Sequence, residues 1–157
     1  MAEKPESKTA ELDPPLHSMG FEIDIVSREK VSGRLKVGET CCQPFKVMHG
    51  GVSALIAEAL ASMGAHLSSG FQRVAGVQLS INHLKPANLG DLVEAEATPL
   101  NKGNRVQVWI VQLWKIDPLT QERSVLISTS TVTLLISLPI PENARDAATK
   151  LKKYAKL

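Results

Sequence analysis

The stretch Gly50-Gly51-Val52-Ser53-Ala54-Leu55-Ile56-Ala57-Glu58-Ala59-Leu60-Ala61-Ser62-Met63-Gly64-Ala65-His66-Leu67 decides the fold. Within it Val52, Leu55, Ile56, Ala59, Leu60 and Met63 recur at helical spacing and give one broad apolar face. Glycines stand at its start, and Gly70 lies just past its end. The spacing therefore predicts one helix from about Gly51 to Leu67.

On either side the period changes from helical to alternating. Upstream, Phe21, Ile23 and Ile25 alternate with Glu22 and Asp24, and Val31, Gly33, Leu35 and Val37 repeat the pattern. Both segments, 20–28 and 31–37, read as half-buried strands joined by a hairpin near Arg28 to Lys30. A polar, irregular stretch runs from Gly38 to Lys46. Downstream, strands are expected over 74–84, closed by Pro86, and over 91–99, 105–116 and 123–138. In the third of these Val106, Val108, Ile110 and Leu113 interleave with Gln107 and Gln112. Asn101-Lys102-Gly103-Asn104 and Asp117-Pro118 supply turns. Two strands, one long helix and four strands in hairpin succession imply an α+β architecture: an antiparallel sheet wrapped around one central helix.

The 157 residues suit one domain. Residues 1–15, rich in Lys, Glu and Pro, read as a disordered leader and neither a secretory signal nor a membrane anchor. The folded domain is expected over 16–140, and 141–157 as a charged helical tail. A net charge of +2 argues against a nucleic-acid partner, and no run is long and apolar enough to span a bilayer. Cys41 and Cys42 are adjacent, which excludes a disulfide framework and suggests a reducing intracellular compartment. His17, His49, His66 and His83 are isolated and form no metal-binding spacing, so no metal is expected.

Glu58 is the one carboxylate of the helix. Its helical neighbours Gly51, Ala54, Ala61, Ser62 and Ala65 are all small, too slight for a core face and too uncharged for a solvated one. Such a trough lets a ligand approach the backbone, and a lone Glu within it reads as a placed general base or nucleophile. The plainer reading, the polar edge of an amphipathic helix, remains open at this point. Gly50 and Gly51 add free backbone N–H groups at the helix start, where developing negative charge is stabilised. Gln43 lies in the polar loop just upstream, and His49 fits a supporting, hydrogen-bonding role.

The segment from Gln43 through His49-Gly50-Gly51 to Glu58 and Ser62 resembles the hotdog-fold thioesterases of the phenylacetate-pathway and aryl-CoA type. The similarity continues through Asn82-His83-Leu84-Lys85-Pro86-Ala87, Gly90-Asp91-Leu92 and Lys102-Gly103-Asn104-Arg105, covering about Gly20 to Leu138. The resemblance implies hydrolysis of an aryl- or acyl-CoA thioester. It points in particular to 1,4-dihydroxy-2-naphthoyl-CoA, on the route to phylloquinone. In the implied site Glu58 attacks the carbonyl or activates water, the Gly50 N–H polarises the carbonyl, Gln43 orients it, His49 holds the geometry and Ser62 assists. The site is expected between two subunits of a homodimer, with dimers pairing into tetramers. CoA is part of the substrate and no cofactor is expected. Lys102 and Arg105, at the hairpin turn, are the candidates for its phosphates, with Lys85 and Arg73 weaker ones; Phe45 and Met48 are expected in the pocket wall. Ala155-Lys156-Leu157 is a close variant of the Ser-Lys-Leu peroxisomal address, so a peroxisomal import receptor is an expected partner through a free, flexible tail. Rival readings are a hotdog acyl-CoA hydratase, which needs a catalytic His beside the carboxylate, a thioesterase for other acyl chains, and a non-catalytic acyl-CoA binding module.

Overall fold

The computed structural model describes residues 7–157. The expected disordered leader falls partly outside them, at residues 1–6. The rest of it is helical: α1 spans Lys8–Leu12 and α2 spans Pro14–Ser18. The Ser7 hydroxyl caps α1 by accepting from the Thr9 N–H, and Asp13 caps α2 by accepting from the Leu16 N–H. Pro14 occupies a first-turn position where its missing N–H costs nothing. Thr9 and Leu16 are fully buried, and Thr9 Oγ1 accepts from the Ile23 N–H at 2.8 Å. Two buried side chains and two caps order a segment whose composition reads as disordered.

Six strands follow: β1 (Phe21–Val26), β2 (Val31–Lys36), β3 (Arg73–His83), β4 (Leu92–Lys102), β5 (Val106–Ile116) and β6 (Arg123–Leu138). They form one sheet in the order β1-β2-β4-β5-β6-β3, and every neighbouring pair is antiparallel. The long helix α3 (Gly50–Ser68) lies between β2 and β3 in the chain and packs against five of the six strands, β1 excepted, which is the wrapped arrangement expected.

One expectation about connectivity fails. β3 forms no hairpin with β4. It pairs with β6 at the far edge, and the linker through Pro86 carries the chain back across β6 and β5 to β4. Turn residues report where the chain reverses, not which strand it lands beside. With α3 covering the sheet face after β2, the chain re-enters at the opposite edge.

The apolar assignment of β5 also changes. Its core-facing residues are Gln107, Trp109, Val111 and Leu113, all buried, whereas Val106 is exposed and Val108 and Ile110 are half-buried on the outer face. Strand residues of opposite parity cannot share a face, so Leu113 parts from Val106, Val108 and Ile110. Gln107 tolerates burial because its Oε1 accepts from both Ser68 Oγ and Trp109 Nε1, each at 2.9 Å. The Trp109 ring fills the space a side chain at Gly64 would need: a Cβ there would stand 2.4 Å from it.

The tail is docked rather than free. Helix α4 (Thr149–Tyr154) buries Leu151, and Glu11 on α1 accepts from Tyr154 Oη at 2.6 Å and from Lys153 Nζ at 3.0 Å. The Lys156 N–H donates to the Val26 carbonyl at 2.8 Å, beside the sheet edge at β1.

Candidate active site

Helix α3 presents the chemistry on two of its sides. On one side Glu58 is exposed within a groove of about 610 Å³ that Gly51, Ala54, Ser62, Met63 and Leu79 also line. Its carboxylate rests on β3. A Cβ built on Gly76 would stand 2.5 Å from Glu58 Oε1, so the absence of a side chain there makes room for the carboxylate. The ladder shifts register between Gly76 and Gln78, and this irregularity lies directly beside Glu58. The small-residue trough is narrower than the sequence implies. Ala61 and Ala65 are fully buried in the core, because the later turns of α3 are enclosed more completely than the first two. Gly51, Ala54 and Ser62 remain as its small members.

On the other side Gln43, Met48, Gly50, Ser53, His83 and Lys85 line a second hollow of about 400 Å³. His49 is the N-cap of α3: its Nδ1 accepts from the Gly51 N–H at 2.8 Å, and its own backbone N–H donates to the Cys41 carbonyl at 2.7 Å. The N–H groups of Val52 and Ser53 turn to the His49 carbonyl. Gly50 is thus left with an N–H that meets no acceptor among the described residues, at the positive end of a 19-residue helix. Gln43 accepts the Phe45 N–H on its side-chain oxygen, which leaves its amide hydrogens as donors. Phe45 itself is 87% exposed and lines neither hollow, so of the two expected wall residues only Met48 serves.

His83 is the residue whose role the sequence did not disclose. Its imidazole lies 3.1 Å from where a Gly50 Cβ would be, so it packs closely against the first residue of α3, where a side chain would crowd it. Nothing in the local pattern marks it, since the end of β3 meets the start of α3 only in the folded chain.

The basic candidates separate. Lys85 stands beside Gly50 and Gln43. Lys102 and Arg105 lie at the other end of the sheet. His83 is level with Ala95 through Ser128 and Leu113, and Lys102 is about 23 Å further along β4 at 3.3 Å per residue. Lys102 is also paired with Glu29, and Arg73 donates to the Pro139 carbonyl at 3.0 Å. One chain therefore holds a carboxylate in one hollow and hydrogen-bond donors with a cation in the other.

The family model described as the thioesterase superfamily matches residues 45–121. The chain is 54% identical to the Arabidopsis thaliana protein named 1,4-dihydroxy-2-naphthoyl-CoA thioesterase 2, over 95% of this chain and 96% of that one. It is 35% identical to the 1,4-dihydroxy-2-naphthoyl-CoA hydrolase of Listeria monocytogenes, over 76% of this chain and 92% of that one. Among solved structures, a thioesterase from Haemophilus influenzae superposes with a TM-score of 0.65 at 32% identity, covering 80% of this chain and 85% of that one.

Proposed function

Because the chain belongs to the thioesterase superfamily, we propose that it hydrolyses an aryl-CoA thioester, 1,4-dihydroxy-2-naphthoyl-CoA, to the free acid and CoA. The observation that carries this reading is Glu58, held against Gly76 in an open groove with no cationic partner among the described residues.

In the proposed reaction the thioester carbonyl takes a hydrogen bond from the Gly50 N–H and is oriented by the Gln43 amide. Negative charge on the carbonyl oxygen is then met by a donor fixed in place before the reaction begins. Glu58 attacks the carbonyl carbon or removes a proton from the attacking water, and CoA leaves as the thiol. Ser62 assists at Glu58, and His49 acts through the cap that fixes the first turn of α3.

Since one chain keeps Glu58 apart from Gly50 and Gln43, the reaction calls for two copies. β3 supplies the means: it is an 11-residue strand at the open edge of the sheet, with Val77 55% exposed. Pairing there sets the Glu58 groove of one copy beside the Gly50 hollow of its partner; dimers then pair into tetramers. Lys85 receives a CoA phosphate, while Lys102 and Arg105 would act only from a further copy. The acid produced belongs to the route to phylloquinone. Ala155-Lys156-Leu157 assigns that work to the peroxisome, provided its backbone contact with Val26 is released to the receptor. Deleting those three residues should leave the protein in the cytosol; retention in peroxisomes would remove the assignment.

The decisive experiment is Glu58→Gln. Thiol release from 1,4-dihydroxy-2-naphthoyl-CoA should fall by at least ~10³-fold while binding of the thioester persists. Unchanged turnover would dismiss Glu58 from the chemistry.

A further inference from the structure

The Glu58 groove has a wall that is not part of the sheet-and-helix body. Leu12, Asp13 and Pro15, from the corner between α1 and α2, line it opposite Ala54, Glu58 and Ser62. It does not stop there. Leu12, Ser62 and Met63 also line an adjoining space of about 290 Å³ that runs along α3 to His66 and Val74 and is bounded by Glu11, Ala147, Lys150 and Leu151. These cap residues all lie outside the segment 45–121 shared with the family.

The direction of this channel matters. With the thioester carbon at Glu58, the CoA portion leaves towards the hollow that holds Lys85. The acyl group has the opposite way to go, along α3 past Ser62 and Met63. That path is apolar at Leu12, Met63, Leu79 and Val74, with Glu11, His66 and Lys150 as its polar members. Asp13 turns one carboxylate oxygen to the backbone of α2, accepting from the Leu16 N–H at 3.0 Å. Leu12 and Met63 are only half-buried, so each has a face left for an occupant. The two volumes fall at or near the range of about 300–1,000 Å³ in which ordered small-molecule sites occur.

The cap is fastened from behind. Glu11, next to Leu12, holds Tyr154 Oη and Lys153 Nζ of α4, and Thr9 on the same helix is fixed to β1 through the Ile23 N–H. A wall tied at two points presents a set shape and can discriminate between acyl groups. A loose one would yield to any of them.

We infer that α1, the α1–α2 corner and α4 form an acyl-selecting cap, in which Leu12 is the specificity-determining contact and the Glu11–Tyr154–Lys153 latch holds it in place. This deepens the thioesterase reading and depends on it. The bicyclic aryl group is the occupant, lying between Leu12 and Met63 with its edge towards Val74.

The test compares kcat/KM for 1,4-dihydroxy-2-naphthoyl-CoA and butyryl-CoA in the wild-type protein, Leu12→Trp and Tyr154→Phe. Leu12→Trp fills the channel and should lower the aryl-to-butyryl ratio by about 10-fold or more. Tyr154→Phe touches neither substrate, so a fall in the same ratio there reports the latch; it also serves if Leu12→Trp does not fold. Both variants scaling the two substrates by one factor, or leaving the ratio where it was, overturns the cap. Hydrolysis of neither thioester by the wild-type protein refutes the thioesterase reading, and the cap with it.

Discussion

Two glycines, one on β3 and one on α3 itself, set the positions that matter most along this helix. Gly76 on β3 leaves the space in which the Glu58 carboxylate rests, and any Cβ there would meet Oε1 at 2.5 Å. Gly76→Ala should therefore displace the carboxylate and lower kcat by about 100-fold, the scale of a 1 Å misplacement, with a smaller effect on KM. Steady-state kinetics on the refolded variant check this, and an unaltered kcat would show that Glu58 is held by something else. Gly64 is the packing counterpart: its missing Cβ admits the Trp109 ring. Gly64→Ala should destabilise the fold by about 1–3 kcal/mol through overpacking, read as a lower urea midpoint. At this scale Glu58, Gly50 and Gln43 could be singled out as candidates because each is chemically conspicuous among its sequence neighbours. Gly76 and His83 could not, since their importance comes from what another element places against them.

At the scale of elements, the α1–α4 latch has a pH range that follows from its partners. The Glu11 carboxyl is held below its ordinary value of 4.5, first by the hydrogen bond from Tyr154 and then by that from Lys153. The Lys153 ammonium is held above its ordinary 10.5, first by its hydrogen bond to Glu11. A lowered carboxyl contributes stability above its unfolded value and loses it as pH falls through the folded one. A raised ammonium contributes stability below its unfolded value and loses it as pH rises through the folded one. The latch should thus hold across the neutral range and open in acid below 4.5. The protection factors of the α1 and α4 amides should then fall in acid ahead of those in β5, and Glu11→Gln should show that lower protection already at neutral pH. Identical exchange in the two proteins would mean that apolar packing alone, at Leu16 and Leu151, docks these helices. The sequence showed neither helix as a cap, because their burial depends on partners about 140 positions away, Glu11 on Tyr154 among them.

For the whole molecule, the division of the site between the two sides of α3 makes a quantitative claim. Glu58→Gln and Gln43→Ala should each be inactive alone. Mixed and allowed to exchange subunits, they should recover roughly a quarter of wild-type activity, since half the dimers are mixed and each of those has one intact site. A site complete within one chain would give no recovery. Val77→Lys, on the exposed β3 edge, should shift the protein towards monomer in sedimentation and lower turnover with it.

The sequence by itself determined the central elements: the long helix from 3.6-residue spacing, six strands from alternation, and a lone carboxylate among small residues. These are periodic or local properties, readable one window at a time. Only the tertiary structure decided that β3 crosses to the far edge, that Gln107 is a satisfied core residue, that Lys85 rather than Lys102 stands beside Gly50, and that α1 and α4 meet through Glu11 and Tyr154. Each of these depends on which distant segments share a face. That is fixed when α3 occupies the sheet and the remaining backbone and apolar groups must find partners around it, a condition that acts on the chain as a whole and not on any one stretch of it.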